Sequence, residues 1–250
     1  MIRFLTLAIL FLAAAIAAVV AFTPLGFVMS RSGAGNAGVG WAQVQGTLLN
    51  GRIDGLHVNG QPVGDVSLEL RPLSLLSFAP KYDVQWGGAG GQGTGTVKIS
   101  KGRLEASELR LQQKISAIEG LAAPVRAMGG TLRLTDGAIA LTPIGCENAT
   151  GQISTDSLSL AAEQYGREFG LISGPLDCVD QDIVLVLTGL SERGDNVKVN
   201  ARTSLLGEAL FEVAVETRDS EVSFALSQVG FILQDGSWLY RYEQQGRLSQ

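Results

Sequence analysis

After residue 40 the chain follows a period of two, and no apolar helical stretch there is long enough to join parallel strands. Val66-Ser67-Leu68-Glu69-Leu70-Arg71 sets Val66, Leu68 and Leu70 against Ser67, Glu69 and Arg71, the alternation of a strand buried on one face. Val97 to Ile99, Leu104 to Leu111, Thr131 to Leu134, Ile139 to Leu141, Asn196 to Ala201, Phe211 to Val215 and Glu221 to Leu226 read the same way. Ile183-Val184-Leu185-Val186-Leu187 is continuously apolar, as expected of a strand covered on both faces. Parallel strands require crossovers of a dozen or more residues. The expected fold is therefore mainly β, an extended antiparallel sheet, with Ile115 to Met128 as a helical divider interrupted by Pro124 and Leu73 to Phe78 as a single turn.

Glycine supplies the punctuation. It accounts for 32 of 250 residues, against about 7% in ordinary domains. Asn50-Gly51, Asn59-Gly60, Asp136-Gly137, Gly194-Asp195-Asn196 and Asp235-Gly236 are groups that reach positive φ at low cost and read as turns. Gly87 to Gly95 has no following Lys-Ser/Thr and reads as a hairpin tip, not a phosphate loop. Gly46-Thr47-Leu48-Leu49-Asn50-Gly51 resembles Gly130-Thr131-Leu132-Arg133-Leu134-Thr135-Asp136-Gly137, so the body divides either into similar halves, 41–125 and 126–250, or into hairpins alike only in composition.

The N-terminus follows another rule. Phe4 to Phe22 is nearly pure hydrocarbon and no charge interrupts the chain before Arg31; as a helix it spans roughly 28 Å, the thickness of a bilayer core. This predicts a single N-terminal transmembrane helix within residues 1–30, a Gly/Ser-rich linker over 31–40 and a body over 41–250. With Arg3 before the span, the N-terminus is expected in the cytoplasm and the body outside it. A cleaved signal peptide is the rival reading, with a shorter apolar region than this one.

Chemistry-bearing constellations are scarce. His57 is the sole histidine, on an alternating strand, so two-histidine metal sites are excluded, and no G-x-S-x-G supplies a nucleophile. Asp177, Asp180 and Asp182 form the densest acidic patch, without EF-hand spacing. A net charge of −5 with no basic run speaks against nucleic acid. The expectation is a non-enzymatic protein with no catalytic, cofactor or metal residues and no small-molecule substrate. Trp41, Trp86 and Trp238 read as packing residues, and Trp238-Leu239-Tyr240-Arg241-Tyr242 as a final edge strand on which a partner strand could pair. Cys146 and Cys178 are the only cysteines. In an exported body they are expected to form a disulfide worth about 4 kcal/mol by loop closure, the alternative being two buried thiols.

The order of the short motifs carries one resemblance. The apolar N-terminal span is followed by Val44-Gln45-Gly46-Thr47-Leu48-Leu49-Asn50-Gly51, by Gly64-Asp65-Val66, and by Leu70-Arg71-Pro72-Leu73-Ser74-Leu75-Leu76. Gly129-Gly130-Thr131-Leu132 and Ala149-Thr150-Gly151-Gln152-Ile153 come later. This sequence resembles the type II secretion system protein N family of Gram-negative bacteria. The resemblance implies an accessory inner-membrane component with a periplasmic body, acting through contacts with the inner-membrane platform or the secretin in export of folded proteins across the outer membrane. The same plan also resembles AsmA-like envelope proteins linked to lipid transport and outer-membrane assembly, for which a concave apolar sheet face is the distinguishing expectation.

Overall fold

The computed structural model describes residues 22–33, 35, 38–58, 60–77, 79–100, 102–118, 121, 123–163, 168–205 and 207–244. Fifteen strands occur among them, antiparallel wherever they pair. The chain forms two compact units that meet in sequence between Ala89 and Gly90. The division at 125/126 expected from the sequence falls inside the second. Apart from Phe22, the expected span Phe4 to Phe22 lies outside the described residues, and no helix among those described is long and apolar enough to cross a membrane.

Among the described residues, helix α1 (Leu25–Arg31) leads into the first unit's strands and starts after Pro24. Leu25 is buried with Ile53 and Val66, and Trp41, Val44 and Trp86 pack on that cluster. Residues assigned to the anchor by sequence therefore contribute to the core of the body. Strands β1 (Val39–Gly40) and β2 (Gln43–Gly46) both pair with β3 (Asn50–Val58), which pairs with β4 (Gln61–Leu70) and through it with β5 (Lys81–Gly88). Asn50-Gly51 thus opens a strand instead of forming a turn, and a Cβ on Gly51 would collide with the Leu25 side chain. Ser74, in the 3-10 turn Pro72–Ser77, donates to the Arg71 carbonyl at 2.6 Å and accepts from the Lys81 backbone N–H at 2.9 Å. One nearly buried hydroxyl so fixes the step from β4 to β5.

The second unit runs as a meander: β6 (Gly91–Ser100), β7 (Arg103–Lys114), β8 (Thr131–Thr142), β9 (Gly145–Thr155), β10 (Ile172–Val179), β11 (Asp182–Leu190), β12 (Asn196–Thr203) and β13 (Ala209–Glu216), each paired with the next. The glycines at 91, 93 and 95 belong to β6, so the tip is narrower than the sequence suggests: it is confined to Ala89 and Gly90, with φ 48° and 80°, after Gly88 ends β5 at φ 114°. Strand β15 (Ser237–Gln244) pairs with β13 and, on its other side, with β14 (Ile232–Gln234). The expected edge strand, β15, is therefore covered from Ser237 to Leu239, and β14 is the outermost strand.

Besides a single-residue bulge at Glu147 in β9, two others lie close to the core of this sheet. β7 carries one extra residue at Glu108 relative to both β6 and β8, and β8 carries one at Asp136 relative to both β7 and β9. Their φ values are 55° and 51°. Asp136-Gly137, expected as a hairpin turn, is thus a bulge inside one continuous strand: the positive φ was legible, its setting was not. Bulges bend and over-twist a strand pair, and these two lie beside the buried Leu134 and Ile153.

Three connections in the second unit carry helices: α2 (Ala123–Met128) between β7 and β8, α3 (Ser157–Glu163) between β9 and β10, and α4 (Ser220–Gln228) between β13 and β14. Expected as one interrupted helix, Ile115 to Met128 is a 3-10 turn (Ile115–Ala117) followed by α2, with Pro124 in the first turn of α2, where its missing N–H costs nothing. Glu221 to Leu226, expected as a strand, is helical. Asp219 caps α4, its carboxylate accepting from the backbone N–H groups of Glu221 at 2.9 Å and Val222 at 3.3 Å. That cap overrides the local alternation.

Candidate functional site

The row Leu187, Val199, Val213 and Tyr240 lies in direct cross-strand register over β11, β12, β13 and β15. All four side chains line a concavity of about 910 Å³ on one sheet face. Ile172, Val197, Ala201, Phe211 and Val215 extend the apolar floor. All three helices contribute walls on this same face: Val125 and Met128 from α2, Leu158 and Ala162 from α3, and Val222, Ala225 and Leu226 from α4. A closed, dry void of this size would cost on the order of 20 kcal/mol at ~24 cal/mol per Å³, more than the ~5–15 kcal/mol that holds a whole domain together. Exposed Glu168, Glu192, Arg193 and Glu221 also line it. They mark where it opens to solvent.

Polar interactions hold the walls. Asp195, in the turn between β11 and β12, accepts hydrogen bonds from the Ser191 hydroxyl at 2.9 Å and the Thr217 hydroxyl at 2.6 Å. Thr217 in turn accepts from the backbone N–H of Asp219, the α4 cap, at 3.1 Å. The floor and the α4 wall are thereby tied together through side chains. Asp156 does the same at α3, accepting from the Thr131 backbone N–H at 2.6 Å and from Arg133 at 3.2 Å. The buried hydroxyls of Thr155 and Ser157 lie 2.8 Å apart and satisfy each other.

Cys146 and Cys178, the residues singled out by sequence, are joined in the structure, their Cα atoms 5.7 Å apart. The bond links the start of β9 to the end of β10 and encloses α3. The neighbouring acidic patch is occupied by an arginine: Arg202 donates to Asp182 at 2.6 Å and lies 3.5 Å from Asp180, while Asp177 accepts from the Cys178 backbone N–H. The Asp182 hydrogen bond is the main cause holding the Arg202 guanidinium above its ordinary pKa. No group of three or more metal-ligating side chains occurs among the described residues. His57 is exposed, with Nδ1 3.3 Å from the Gly55 carbonyl. Trp41 and Trp86 pack on the first unit's core and Trp238 on the second's. In the first unit Arg52 bridges Asp54 at 2.6 Å and Asp65 at 3.0 Å on the surface.

The motifs that carried the resemblance have defined structural duties. Gly46, with φ 82°, turns the chain into Thr47, whose hydroxyl accepts from the Leu49 backbone N–H. Ser74 closes the step after β4, and Gly151 permits a close strand approach beside Asp136. The model of the family described as type II secretion system protein N matches residues 37–238. The chain belongs to the type II secretion system protein N family. That match covers all of β1 to β14 and the start of β15, and so includes the whole floor of the concavity except Tyr240. Membership supports an accessory role in type II protein secretion. No curated protein and no solved structure matches the chain.

Proposed function

We propose that this chain is a non-enzymatic accessory component of the type II secretion system, held in the inner membrane by residues 4–22, with its N-terminus in the cytoplasm and its β-rich body in the periplasm. It acts through contacts with other subunits, the inner-membrane platform or the secretin, during export of folded proteins across the outer membrane. The observation that carries the reading is the family match over residues 37–238. The Cys146–Cys178 bond supports the compartment, because such bonds persist in oxidising surroundings. The apolar run at residues 4–22 supports the anchor by its length.

The test is deletion of the gene with measurement of hydrolase activity outside the cell and in the periplasm. Accumulation of folded hydrolases in the periplasm, restored by the full chain, is the expected result. Unchanged secretion with altered outer-membrane permeability would replace this reading with a role in envelope lipid handling.

A further inference from the structure

The concave face of the second unit has the composition of a site for hydrocarbon. Its floor offers no hydrogen-bonding group along the Leu187–Val199–Val213 row, and the hydroxyls of Thr155 and Ser157 are spent on one another. Sites for polar small molecules place a few donors and acceptors among their apolar residues. An extended peptide laid along this floor would bury backbone N–H and C=O groups with nothing to receive them. An alkyl chain makes no such demand. From Leu187 to Tyr240 the row crosses three interstrand spacings, about 14 Å, which is half of a roughly 30 Å bilayer core and so the reach of one lipid tail.

The opening specifies the head. Arg193, 67% exposed in its side chain, stands at the β11–β12 turn, 3.9 Å from Asp219. Glu168 and Glu192 are exposed on the same lining. Among the described residues, a fatty-acid carboxylate would meet one cation amid several carboxylates. A head carrying both a phosphate and an ammonium finds a partner for each sign.

We infer that this face binds one acyl chain of a zwitterionic phospholipid, the tail lying along the Leu187–Val199–Val213–Tyr240 row and the head group at Arg193 and the neighbouring glutamates. This stands on the geometry of the second unit and not on the secretion role, and its test needs no secretion machinery.

The experiment mixes the full chain with vesicles of phosphatidylethanolamine bearing a diazirine near the end of one acyl chain, irradiates them, and maps the adducts by peptide mass spectrometry. Apart from adducts on the anchor at residues 4–22, which any bilayer probe would give, adducts are expected on the floor strands and on α4. Ala201→Phe and Ala225→Phe, which fill the concavity from opposite sides, should lower labelling at least about tenfold with unchanged melting curves. Arg193→Glu, at an exposed turn where packing is untouched, should lower it about two- to fivefold and serves should both filled variants fail to fold. Adducts scattered over the body outside the concavity, concavity labelling undiminished in folded variants, or unchanged concavity labelling in Arg193→Glu would overturn the inference. Stronger labelling by a diazirine fatty acid than by the phospholipid would overturn the assignment of the head, and labelling blocked by an apolar helical peptide but not by unlabelled phospholipid would assign the face to a protein segment.

Discussion

The Cα of Gly137 lies 3.0 Å from the point where a Cβ on Gly151 would stand, so β8 and β9 approach at the Asp136 bulge more closely than any side chain allows. Gly151 also has φ 143°, outside the range of ordinary residues, and such a Cβ would stand 2.8 Å from Leu134 Cδ1. The bend of the sheet beside its core thus depends on two missing side chains.

Gly151→Ala is therefore expected to destabilise the protein by roughly 3 kcal/mol, combining backbone strain with overpacking. Gly102→Ala provides the comparison: its φ is 69° and nothing stands within 4 Å of the added Cβ, so left-handed strain alone should cost about 1 kcal/mol. Urea unfolding of both variants checks the difference, and equal losses would remove close approach as the reason for glycine at 151.

Thiol labelling of the denatured, unreduced chain should find no free cysteine. Removing the bond with Cys146→Ala and Cys178→Ala together should cost about 4 kcal/mol by loop closure. Two labelled thiols in the native preparation would show that the bond does not form.

Burial pushes the Tyr82 phenol above its ordinary value of 10.0. The folded state then keeps this proton at pH values where the unfolded chain has released it. The stability that Tyr82 contributes is complete below about pH 10 and is lost as pH rises through the folded value. Tyr82→Phe should flatten that alkaline loss in urea titrations run from pH 9 upward, and an unchanged slope would mean that the phenol titrates alike in both states.

Asp219→Ala removes the acceptor for two N–H groups at the start of α4 and should cost about 1 kcal/mol. Because the Asp219 carboxylate also lies 3.9 Å from Arg193 of the β11–β12 turn, hydrogen exchange should rise in α4 and at that turn together. Exchange confined to the first turn of α4 would show that the link transmits nothing.

An uncleaved anchor predicts that protein isolated from inner membranes retains residues 1–21. Mass spectrometry checks this, and a mature chain beginning after Ala21 would establish a signal peptide instead.

The strands were legible because each buries one face, and burial writes itself into sequence as alternation. Val66, Leu68 and Leu70 in β4 show it directly. Where two structures share one local signal, sequence was ambiguous. Asp136-Gly137 announces positive φ whether it ends a strand or bulges it. Val222, Phe224 and Leu226 alternate as a strand would, yet α4 places Val222, Ala225 and Leu226 at helical spacing over the concavity and leaves Phe224 67% exposed. The legible clue was Asp219 followed by Ser220 and Glu221, a helix start. The concavity itself had no sequence signature, because it depends on three separate connections folding over the same face.

The bridge between Cys146 and Cys178 has a further consequence for the α3 wall. A backbone cut anywhere between those two residues leaves both pieces in one covalent molecule, separable only by a reductant. In a compartment exposed to proteases, that wall stays attached after a nick that would otherwise release part of it.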